Sequence, residues 1–203
     1  MNAAKKHTSS SGRRAELLRI ACRLFAERGF RATTVRDIAD AAGILSGSLY
    51  HHFDSKETMI DELLSSFQDE LFGRYREIVA QRLGPRKTLE AVITASFESI
   101  HKHHDEVAIY QNEAQYLAQF PRFGYLEERN TEFRELWTSI LADGVASGAF
   151  RSALDVEVAY RFIRDTVWVA VRWYSPGGSL TPEDVAAQYL GILLDGIAAE
   201  PTS

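Results

Sequence analysis

Apolar residues between positions 33 and 53 recur at the spacing of two short helices. The first set shares one helical face, at intervals of three or four residues: Val35, Ile38, Ala39 and Ala42. Thr33 or Thr34 can cap this helix, because a side-chain hydroxyl accepts a backbone N–H that the first turn leaves unpaired. Gly43 follows the last apolar position and can adopt the left-handed conformation that ends a helix. A short helix is therefore expected to end near residue 42.

The second apolar set is shorter, and its outward face is small and polar. Ile44, Leu49 and Phe53 are expected to point inward. The outward positions are Ser46, Gly47, Ser48, Tyr50, His51 and His52. Two short helices joined by a tight turn that contains glycine form a helix-turn-helix, whose second helix enters the DNA major groove and contacts base edges or phosphates. On this stretch alone, two amphipathic helices of an ordinary all-helical protein remain the alternative.

Helical spacing also precedes this stretch. Residues 1–12 are small and polar and are expected to form a flexible arm. A first helix should follow from about Arg13 to Arg28, and Gly29 should end it. Three helices are therefore expected in the N-terminal region, which we interpret as a helix-turn-helix domain of residues 1–56.

The remainder of the chain is predicted to be helical as well. Asp54 and Glu57 can form a capping box at the start of a long helix that should reach about Arg82, and a Gly-Pro pair at 84–85 should end it. Five further helices are expected at roughly 86–103, 105–118, 124–147, 155–174 and 182–198. The predicted fold is all-α: a three-helix helix-turn-helix DNA-binding domain is followed, at residues 57–203, by an all-helical ligand-binding and dimerisation domain.

Two late segments predict contact between subunits. Residues 155–174 are apolar on almost every side. A helix that is apolar all round is buried all round, and a second subunit is the expected cover. Residues 182–198 form a matching helix, whose small residues permit close approach. The pair predicts a homodimer.

Charge is distributed unevenly along the chain. The net charge of −5 argues against a DNA-binding protein. Residues 1–56, however, carry ten Lys or Arg and five Asp or Glu, whereas the remaining residues carry 13 and 23. A basic N-terminal part is what phosphate neutralisation requires. The charge distribution therefore favours a helix-turn-helix over the alternative.

Several classes of protein and site find little support. No apolar run approaches the ~20 residues that cross a bilayer, and the polar start of the chain has no signal-peptide core, so no membrane contact is expected. Cys22 lies on an apolar face and is expected to be a packed thiol. His101, His103 and His104 are clustered, but their spacing favours a solvated helix end over a metal site. No catalytic residue, metal or cofactor is expected; an enzyme or carrier that acts on acyl-CoA is the competing class.

The region from Leu17 to Leu64 resembles the DNA-binding region of the TetR family of transcriptional repressors. An ordered set of pieces carries the resemblance: Phe-Ala-Glu-Arg-Gly, Thr-Thr, Ile-Ala, Ala-Gly, Leu-Tyr-His-His-Phe and Ser-Lys-Glu. It implies a cytoplasmic, nucleoid-associated repressor rather than an enzyme, which binds double-stranded DNA at an inverted-repeat operator as a homodimer. The DNA contacts that it implies are Arg13, Arg14, Thr33, Thr34, Ser46, Gly47, Ser48, Tyr50, His51, His52 and Lys56. Many members have a small polar residue and then Lys where this chain has Leu45 and Ser46.

The middle and late helices interleave aromatic and polar residues that could bind an effector. The candidate ligand-binding residues are Tyr110, Glu113, Tyr116, Arg122, Arg164 and Trp168. Arg164 and Trp168 lie one helical turn apart, so they are expected to face the same space, with Asp165 pointing elsewhere. A buried guanidinium needs a partner, which an anionic ligand could supply. An internal carboxylate is the alternative partner: Glu113, Glu128 or Glu132.

Residues 108–130 and 160–178 resemble the ligand domain of TetR-type repressors that control catabolism of the last sterol rings. The resemblance implies that the effector is a CoA thioester of a ring-cleaved sterol intermediate. Aromatic walls suit the fused rings of such a ligand, and arginines suit the phosphates of CoA. A fatty acyl-CoA or a lipophilic drug is the alternative effector.

Overall fold

The computed structural model describes residues 3–195, with side chains from residue 12 onward, as an assembly of helices without a β-strand in that range. The helices are α1 (Ala3–Arg28), α2 (Val35–Ala41), α3 (Ser46–Leu49), α4 (Lys56–Ala80), α5 (Pro85–Lys102), α6 (His104–Leu117), α7 (Tyr125–Ala146), α8 (Val156–Trp168) and α9 (Pro182–Leu194). Two short 3₁₀ helices, Pro121–Phe123 and Val169–Arg172, precede α7 and follow α8. The all-α prediction is confirmed. None of the described helices is both long enough and apolar enough to cross a bilayer.

Helix ends in the N-terminal region follow the capping residues of the sequence. Thr34, rather than Thr33, is the N-cap of α2: its side chain accepts the Asp37 N–H at 3.1 Å, and the Asp37 carboxylate accepts the Thr34 N–H at 2.8 Å. Gly43 has the expected left-handed conformation, with φ 65°. The predicted cap of α4 was wrong, because Ser55 Oγ, and not Asp54, accepts the Thr58 N–H at 3.1 Å.

The later helices agree closely with the predicted ranges. The bounds of α5, α6 and α7 differ from prediction by one residue at each end. The predicted helix at 155–174 is divided instead, since α8 ends at Trp168 and continues as the second 3₁₀ helix. Residues 196–198 of the last predicted helix lie outside the described range. At the other end, α1 extends back to Ala3, over residues that the sequence assigns to an arm.

The chain divides into two compact units. The first unit comprises the residues up to Gln68 together with Asp105–Gly124, and the second comprises Asp69–His104 together with the residues from Tyr125 onward. Helix α4 contributes to both units, and α6 belongs with the helix-turn-helix. A functional boundary between residues 56 and 57 stays a prediction.

Each unit has its own core. The core of the first unit packs apolar residues of α1 to α4, including Leu17, Phe25, Ile38, Leu49, Phe53, Met59, Ile60 and Leu64. The core of the second unit is aromatic: the Phe133 ring lies 5.5–6.3 Å from the ring centroids of five neighbours, namely Phe72, Tyr75, Trp137, Tyr160 and Trp168. Such edge and offset contacts stabilise a core beyond the area that they bury.

Candidate nucleic-acid interface and effector region

The short helix α3 is held by its inward residues and leaves its predicted outward face open. Leu49 and Phe53 are buried, with exposed fractions of 0% and 2%. Gly47, Tyr50 and His51 are exposed, whereas three other outward positions are half-buried: Ser46, Ser48 and His52. The outward face therefore offers backbone, hydroxyl, phenol and imidazole groups to a partner, as expected of a helix that reads DNA.

Hydrogen bonds from α4, from α6 and from within the loop itself hold the loop between α1 and α2. The Lys56 ammonium, on α4, donates to the carbonyl oxygens of Phe30 and Thr33 at 2.8 Å each and lies 4.4 Å from the Phe30 ring centroid. On α6, Glu113 Oε1 accepts the Phe30 N–H at 3.0 Å. Within the loop, the Thr33 hydroxyl donates to the carbonyl oxygen of Gly29 at 2.9 Å. Helices α4 and α6 thus fix the segment that leads into the helix-turn-helix.

These bonds give several predicted DNA residues an internal role. Thr33 has no exposed surface, and the structure places its side chain in the loop rather than at a DNA contact. Thr34 uses its hydroxyl in the α2 cap. Lys56 uses two of the three N–H donors of its ammonium. A phosphate contact through its third donor stays a prediction.

The two arginines near the start of the first unit are also tied to neighbouring helices. Arg14 forms a two-pronged ion pair with Glu62, with 2.6 Å between Nη2 and Oε2, and its guanidinium lies 4.3 Å from the Phe53 ring centroid. The hydrogen bond to Glu62 raises the pKa of Arg14. Arg13 donates to Glu16 at 2.6 Å and to the Ala42 carbonyl oxygen at 2.9 Å. DNA contact by either arginine stays a prediction.

Four predicted ligand residues lie in the first unit. Besides Glu113, the Tyr116 ring centroid lies 4.9 Å from the Arg31 guanidinium, and Arg122 donates to Thr58 Oγ1 at 3.1 Å. Tyr110 is half-buried on the same helix, α6. Glu113 is 9% exposed and its Oε1 accepts the Phe30 N–H, which gives it a positioning role in the loop; ligand binding by Glu113 stays a prediction.

Two predicted ligand residues lie in the second unit, but they do not face the same space. Trp168 is 6% exposed and packs against Phe133 in the aromatic core. Arg164 is exposed and pairs with Asp165 at 2.7 Å, which corrects the expectation that Asp165 points elsewhere. The hydrogen bond to Asp165 raises the pKa of Arg164. The alternative partners Glu113, Glu128 and Glu132 do not pair with Arg164, whose ion pair with its sequence neighbour Asp165 lies at the surface.

The aromatic core contains a polar group that is not satisfied. Trp137 is fully buried, and its indole N–H has no hydrogen-bond partner among the described residues. A buried unpaired donor costs ~1–3 kcal/mol, because its bond to water is lost without replacement. Beside it, the hydroxyls of Tyr75 and Ser96 bond to each other at 2.6 Å, and burial raises the pKa of Tyr75. Among the described residues, the indole N–H is therefore a buried donor that lacks an acceptor.

Several large apolar side chains of the second unit are exposed on α8, on the 3₁₀ segment that follows it and on α9. We call this set the α8–α9 face, and its exposed members are Val158, Phe162, Val169, Trp173, Ile192 and Leu193. Phe162, at 68%, is the most exposed of them. A groove of about 510 Å³ borders the face and shares Val158, Phe162 and Leu193 with it. Exposed apolar side chains that meet at one groove, as Val158, Phe162 and Leu193 do, mark a candidate interaction site.

The clustered histidines bond to Tyr174 and Glu70 rather than converging on one point. His101 Nδ1 lies 2.6 Å from the Tyr174 hydroxyl, His104 Nε2 lies 3.0 Å from the Tyr174 carbonyl oxygen, and His103 Nε2 lies 3.2 Å from Glu70. Among the side chains that the structure describes, no group of three or more His, Cys, Asp or Glu residues could hold a metal ion.

The sequence did not indicate the roles of three residues. Glu113 bonds to a backbone group 83 residues away, which no local pattern indicates. Trp137 has the pattern of an ordinary core aromatic, and only its burial reveals the unpaired donor. Leu45, which precedes α3, is 81% exposed. Its signal in the sequence was an apolar residue where many family members have a small polar one.

Comparison with known proteins agrees with this geometry. Residues 17–63 match the family described as bacterial regulatory proteins, tetR family, and residues 82–197 match the tetracyclin repressor-like, C-terminal domain. The HTH-type transcriptional repressor KstR2 of Rhodococcus jostii (strain RHA1) is 66% identical over 192 residues, which cover 95% of this chain and 94% of that protein. A structure of the ketosteroid transcriptional regulator KstR2 of Mycobacterium tuberculosis has a TM-score of 0.89 at 60% identity, over 93% of this chain and 96% of that one. AibR, in complex with isovaleryl coenzyme A and operator DNA, shares the fold at 23% identity, with a TM-score of 0.78 over 90% of this chain and 98% of that one.

Proposed function

Because the chain belongs to the TetR family of DNA-binding transcriptional repressors, we propose that it is a homodimer which binds an inverted-repeat operator through α3 and leaves it when an acyl-CoA binds. The observation that carries DNA binding is the open outward face of α3, on a helix-turn-helix whose loop is fixed by α4 and α6. Regulators rather than enzymes make up this family, and the proposed place of action is the cytoplasm.

Contact between DNA and the outward face of α3 is tested at Tyr50. Its side chain is 53% exposed and, in this proposal, the phenol bonds to a phosphate. Tyr50→Phe should weaken operator binding without lowering the melting temperature, because the hydroxyl makes no bond that the fold needs. The dependence of affinity on salt should stay as in the wild type, because no charge is removed.

The charge of the interface is tested at Arg36, which is exposed on α2, the helix before α3, and whose guanidinium meets a phosphate in this proposal; Arg36→Ala removes that cation. Each phosphate-neutralising charge that is lost should flatten the slope of log K against log salt by about one. Both variants and the wild type are compared on the same duplex over a series of salt concentrations. Unchanged affinity for both variants, together with an unchanged slope for Arg36→Ala, would contradict the proposed interface.

The α8–α9 face supports dimerisation. TetR-family repressors dimerise, and this chain exposes Phe162, Trp173 and Ile192 in one unit. The Thr166 and Tyr189 hydroxyls lie 2.8 Å apart and join the two helices that carry the face. A second copy of the chain would bury these apolar side chains, each at a gain of ~1.5–3 kcal/mol when fully covered. We place the subunit interface on α8 and α9.

The second unit supports an effector that is partly apolar and partly polar. Its aromatic core supplies flat apolar walls, and the Trp137 N–H supplies an unpaired donor. The related M. tuberculosis protein is named as a ketosteroid regulator, and AibR, which has the same fold, has been crystallised with an acyl-CoA. A CoA thioester of a ring-cleaved sterol intermediate combines fused apolar rings with anionic phosphates. Arg164, although paired with Asp165 here, is exposed and could turn to such a phosphate.

The effector is tested by release of labelled operator DNA. A CoA thioester of a ring-cleaved steroid acid should release the DNA at a lower concentration than palmitoyl-CoA, free CoA or a lipophilic cation. Release by palmitoyl-CoA or by the cation at lower concentration would establish the alternative effector classes instead. Arg164→Ala should raise the concentration needed for release and leave DNA affinity unchanged. Trp168→Phe is the suitable partner variant, since Trp168 belongs to the core and its truncation to Ala would unfold more than the ligand site.

Helices α4 and α6 are the proposed route from effector to DNA. Helix α4 contributes to both units, and at its start Lys56 holds the loop before α2. Helix α6 holds the same loop through Glu113. A ligand releases DNA only by favouring a conformation whose recognition helices no longer match successive major grooves, ~34–36 Å apart. Movement of either helix would displace the loop, and α3 with it.

A further inference from the structure

Leu45, the residue before α3, has the most exposed large apolar side chain in the part of the chain whose side chains are described. Its exposed fraction is 81%. It lies between the turn at Gly43 and the outward face of α3. A single exposed leucine is ordinary on a protein surface, so exposure alone assigns it no role.

A second observation concerns the backbone position that Leu45 occupies. Leu45 is the N-cap of α3, and its side chain makes no capping hydrogen bond. The N-caps of α2, α8 and α9 all make one, through Thr34, Asp155 and Thr181. Leucine is among the least favourable residues at an N-cap, where Ser, Thr, Asp and Asn are preferred. A residue that conflicts with its local structure is expected where function requires it.

The chemistry of leucine restricts what it can contact on DNA. Its side chain has neither donor nor acceptor, so it cannot bind a phosphate or a polar base edge. The apolar group that B-DNA presents in the major groove is the 5-methyl of thymine. Residues at the start of a recognition helix are the ones that approach base edges, and Leu45 stands at the start of α3. We propose that Leu45 reads a thymine in each half of the operator by packing against its 5-methyl group.

The neighbouring residues fit this contact. Ser46, Gly47 and Ser48 are small, so the backbone at the start of α3 can approach the bases closely. The Leu45 carbonyl oxygen accepts the Ser48 N–H at 2.9 Å, which fixes the backbone from which the side chain projects. The inference rests on the proposed function, in which α3 is the DNA-reading helix.

The test combines variants of Leu45 with removal of single thymine methyl groups from the DNA. Duplexes that bind the full-length wild-type protein are selected from a randomised library, and each thymine of the selected site is replaced in turn by deoxyuridine, which lacks only the methyl. Dissociation constants are measured at one salt concentration for the wild type, Leu45→Ala, Leu45→Met and Leu180→Ala. Leu180 is an exposed leucine far along the chain, at 51%, and is the matched control.

Wild type and Leu180→Ala should lose about fourfold in affinity per half-site at one thymine position, because burying one carbon group from water is worth about that factor. At the same position, Leu45→Ala should bind the thymine and deoxyuridine duplexes equally, and Leu45→Met should restore most of the difference. Leu45→Ser should melt no lower than wild type, since serine can cap α3, and yet lose the preference for thymine.

Two results would overturn the inference. In the first, both wild type and Leu45→Ala bind the selected duplex, but at no thymine does removal of the methyl group lower the affinity of the wild type more than that of Leu45→Ala. The repressor function would then stand, and Leu45 would contact only sugar or no part of the DNA. The second is failure of the wild type to select any duplex, which would refute the DNA-reading helix and the leucine contact together.

Discussion

The two compact units differ in how much of their apolar surface a single chain can cover. In the first unit, three large apolar side chains are exposed among the described residues: Leu45, Tyr50 and Phe120. The second unit exposes nine within the described range, and six of them form the α8–α9 face. Two of the three in the first unit flank α3, where DNA would cover them.

The difference indicates what each unit needs in order to be complete. The loop before the helix-turn-helix is fixed within the first unit by Lys56, Glu113 and Thr33, so this unit presents a ready surface that lacks only DNA. Within the described residues, the second unit lacks a cover for its apolar face and a hydrogen-bond acceptor for Trp137. In the proposed repressor, the first unit reads DNA, and the second associates with a partner subunit and responds to the effector.

The largest expected effect is on the α8–α9 face. Phe162→Asp would place a charge in the proposed subunit interface, and should weaken dimerisation by about 100-fold or more. Operator binding should fall with it, because one chain reads only half of an inverted repeat. Sedimentation velocity checks the change, with Val79→Asp, an exposed apolar position on α4, as the control. A dimeric Phe162→Asp would place the interface elsewhere.

A second comparison lies within the second unit, between core and surface. Trp168→Ala should lower the free energy of unfolding by ~3–5 kcal/mol, because it removes a large ring from the aromatic core. Arg164→Ala, one helical turn away, should change it by less than ~0.5 kcal/mol, because the residue is exposed and pairs with Asp165 at the surface. Denaturant unfolding measures both. Equal losses would show that Arg164 supports the fold more strongly than its contacts with Asp165 and the Tyr160 ring predict.

Sequence reasoning was most successful where function depends on local spacing. The α2 cap, the Gly43 turn and the inward positions Leu49 and Phe53 are set by neighbours a few residues away, and all are confirmed. Helices α5 to α7 were placed within one residue for the same reason, since their breaks lie in the sequence as glycine, proline and polar residues.

The candidate effector site could not be predicted in the same way. Helical spacing puts Arg164 and Trp168 on neighbouring positions of α8, but it does not say which of them turns to the core; Trp168 does and Arg164 does not. Glu113 has its partner in a loop distant in sequence, and α6 joins the first unit rather than the second. These facts are properties of tertiary packing, which no single segment encodes.

In the first unit, the hydrogen bond between α6 and the loop predicts a smaller effect. Glu113→Leu would leave the buried Phe30 N–H without an acceptor and should cost ~1–3 kcal/mol. Glu113→Gln keeps a side-chain carbonyl at the same place and should cost much less. Thermal unfolding compares the two variants, and operator affinity should fall in the same order. If the leucine variant melted with wild type, α6 would not hold the loop.

The smallest expected effect is the acid sensitivity of the α2 cap. Hydrogen bonds from the hydroxyl and N–H of Thr34 hold the pKa of Asp37 below its usual value. A carboxyl group with a depressed folded-state pKa stabilises the fold above its unfolded pKa, about 3.9, and loses that contribution as pH falls through the folded value. The melting temperatures of wild type and Asp37→Asn should therefore differ at neutral pH and converge as the pH falls below about 4. If the difference in melting temperature did not change with pH, the charge of Asp37 would contribute nothing to the cap, and only its hydrogen bonds would stabilise it.

The central claim is that the first unit binds DNA only when the second unit dimerises. The most direct test is the number of chains bound to each DNA duplex. Sedimentation velocity would be run with the full-length chain and two duplexes, one carrying the selected inverted repeat and one carrying a single half-site. We predict that chains bind the inverted repeat in pairs, that the half-site forms no complex at the same concentration, and that Phe162→Asp binds neither. A single chain that bound the half-site as tightly as the inverted repeat would contradict the account, because the helix-turn-helix would then read DNA without the partner that the α8–α9 face supplies.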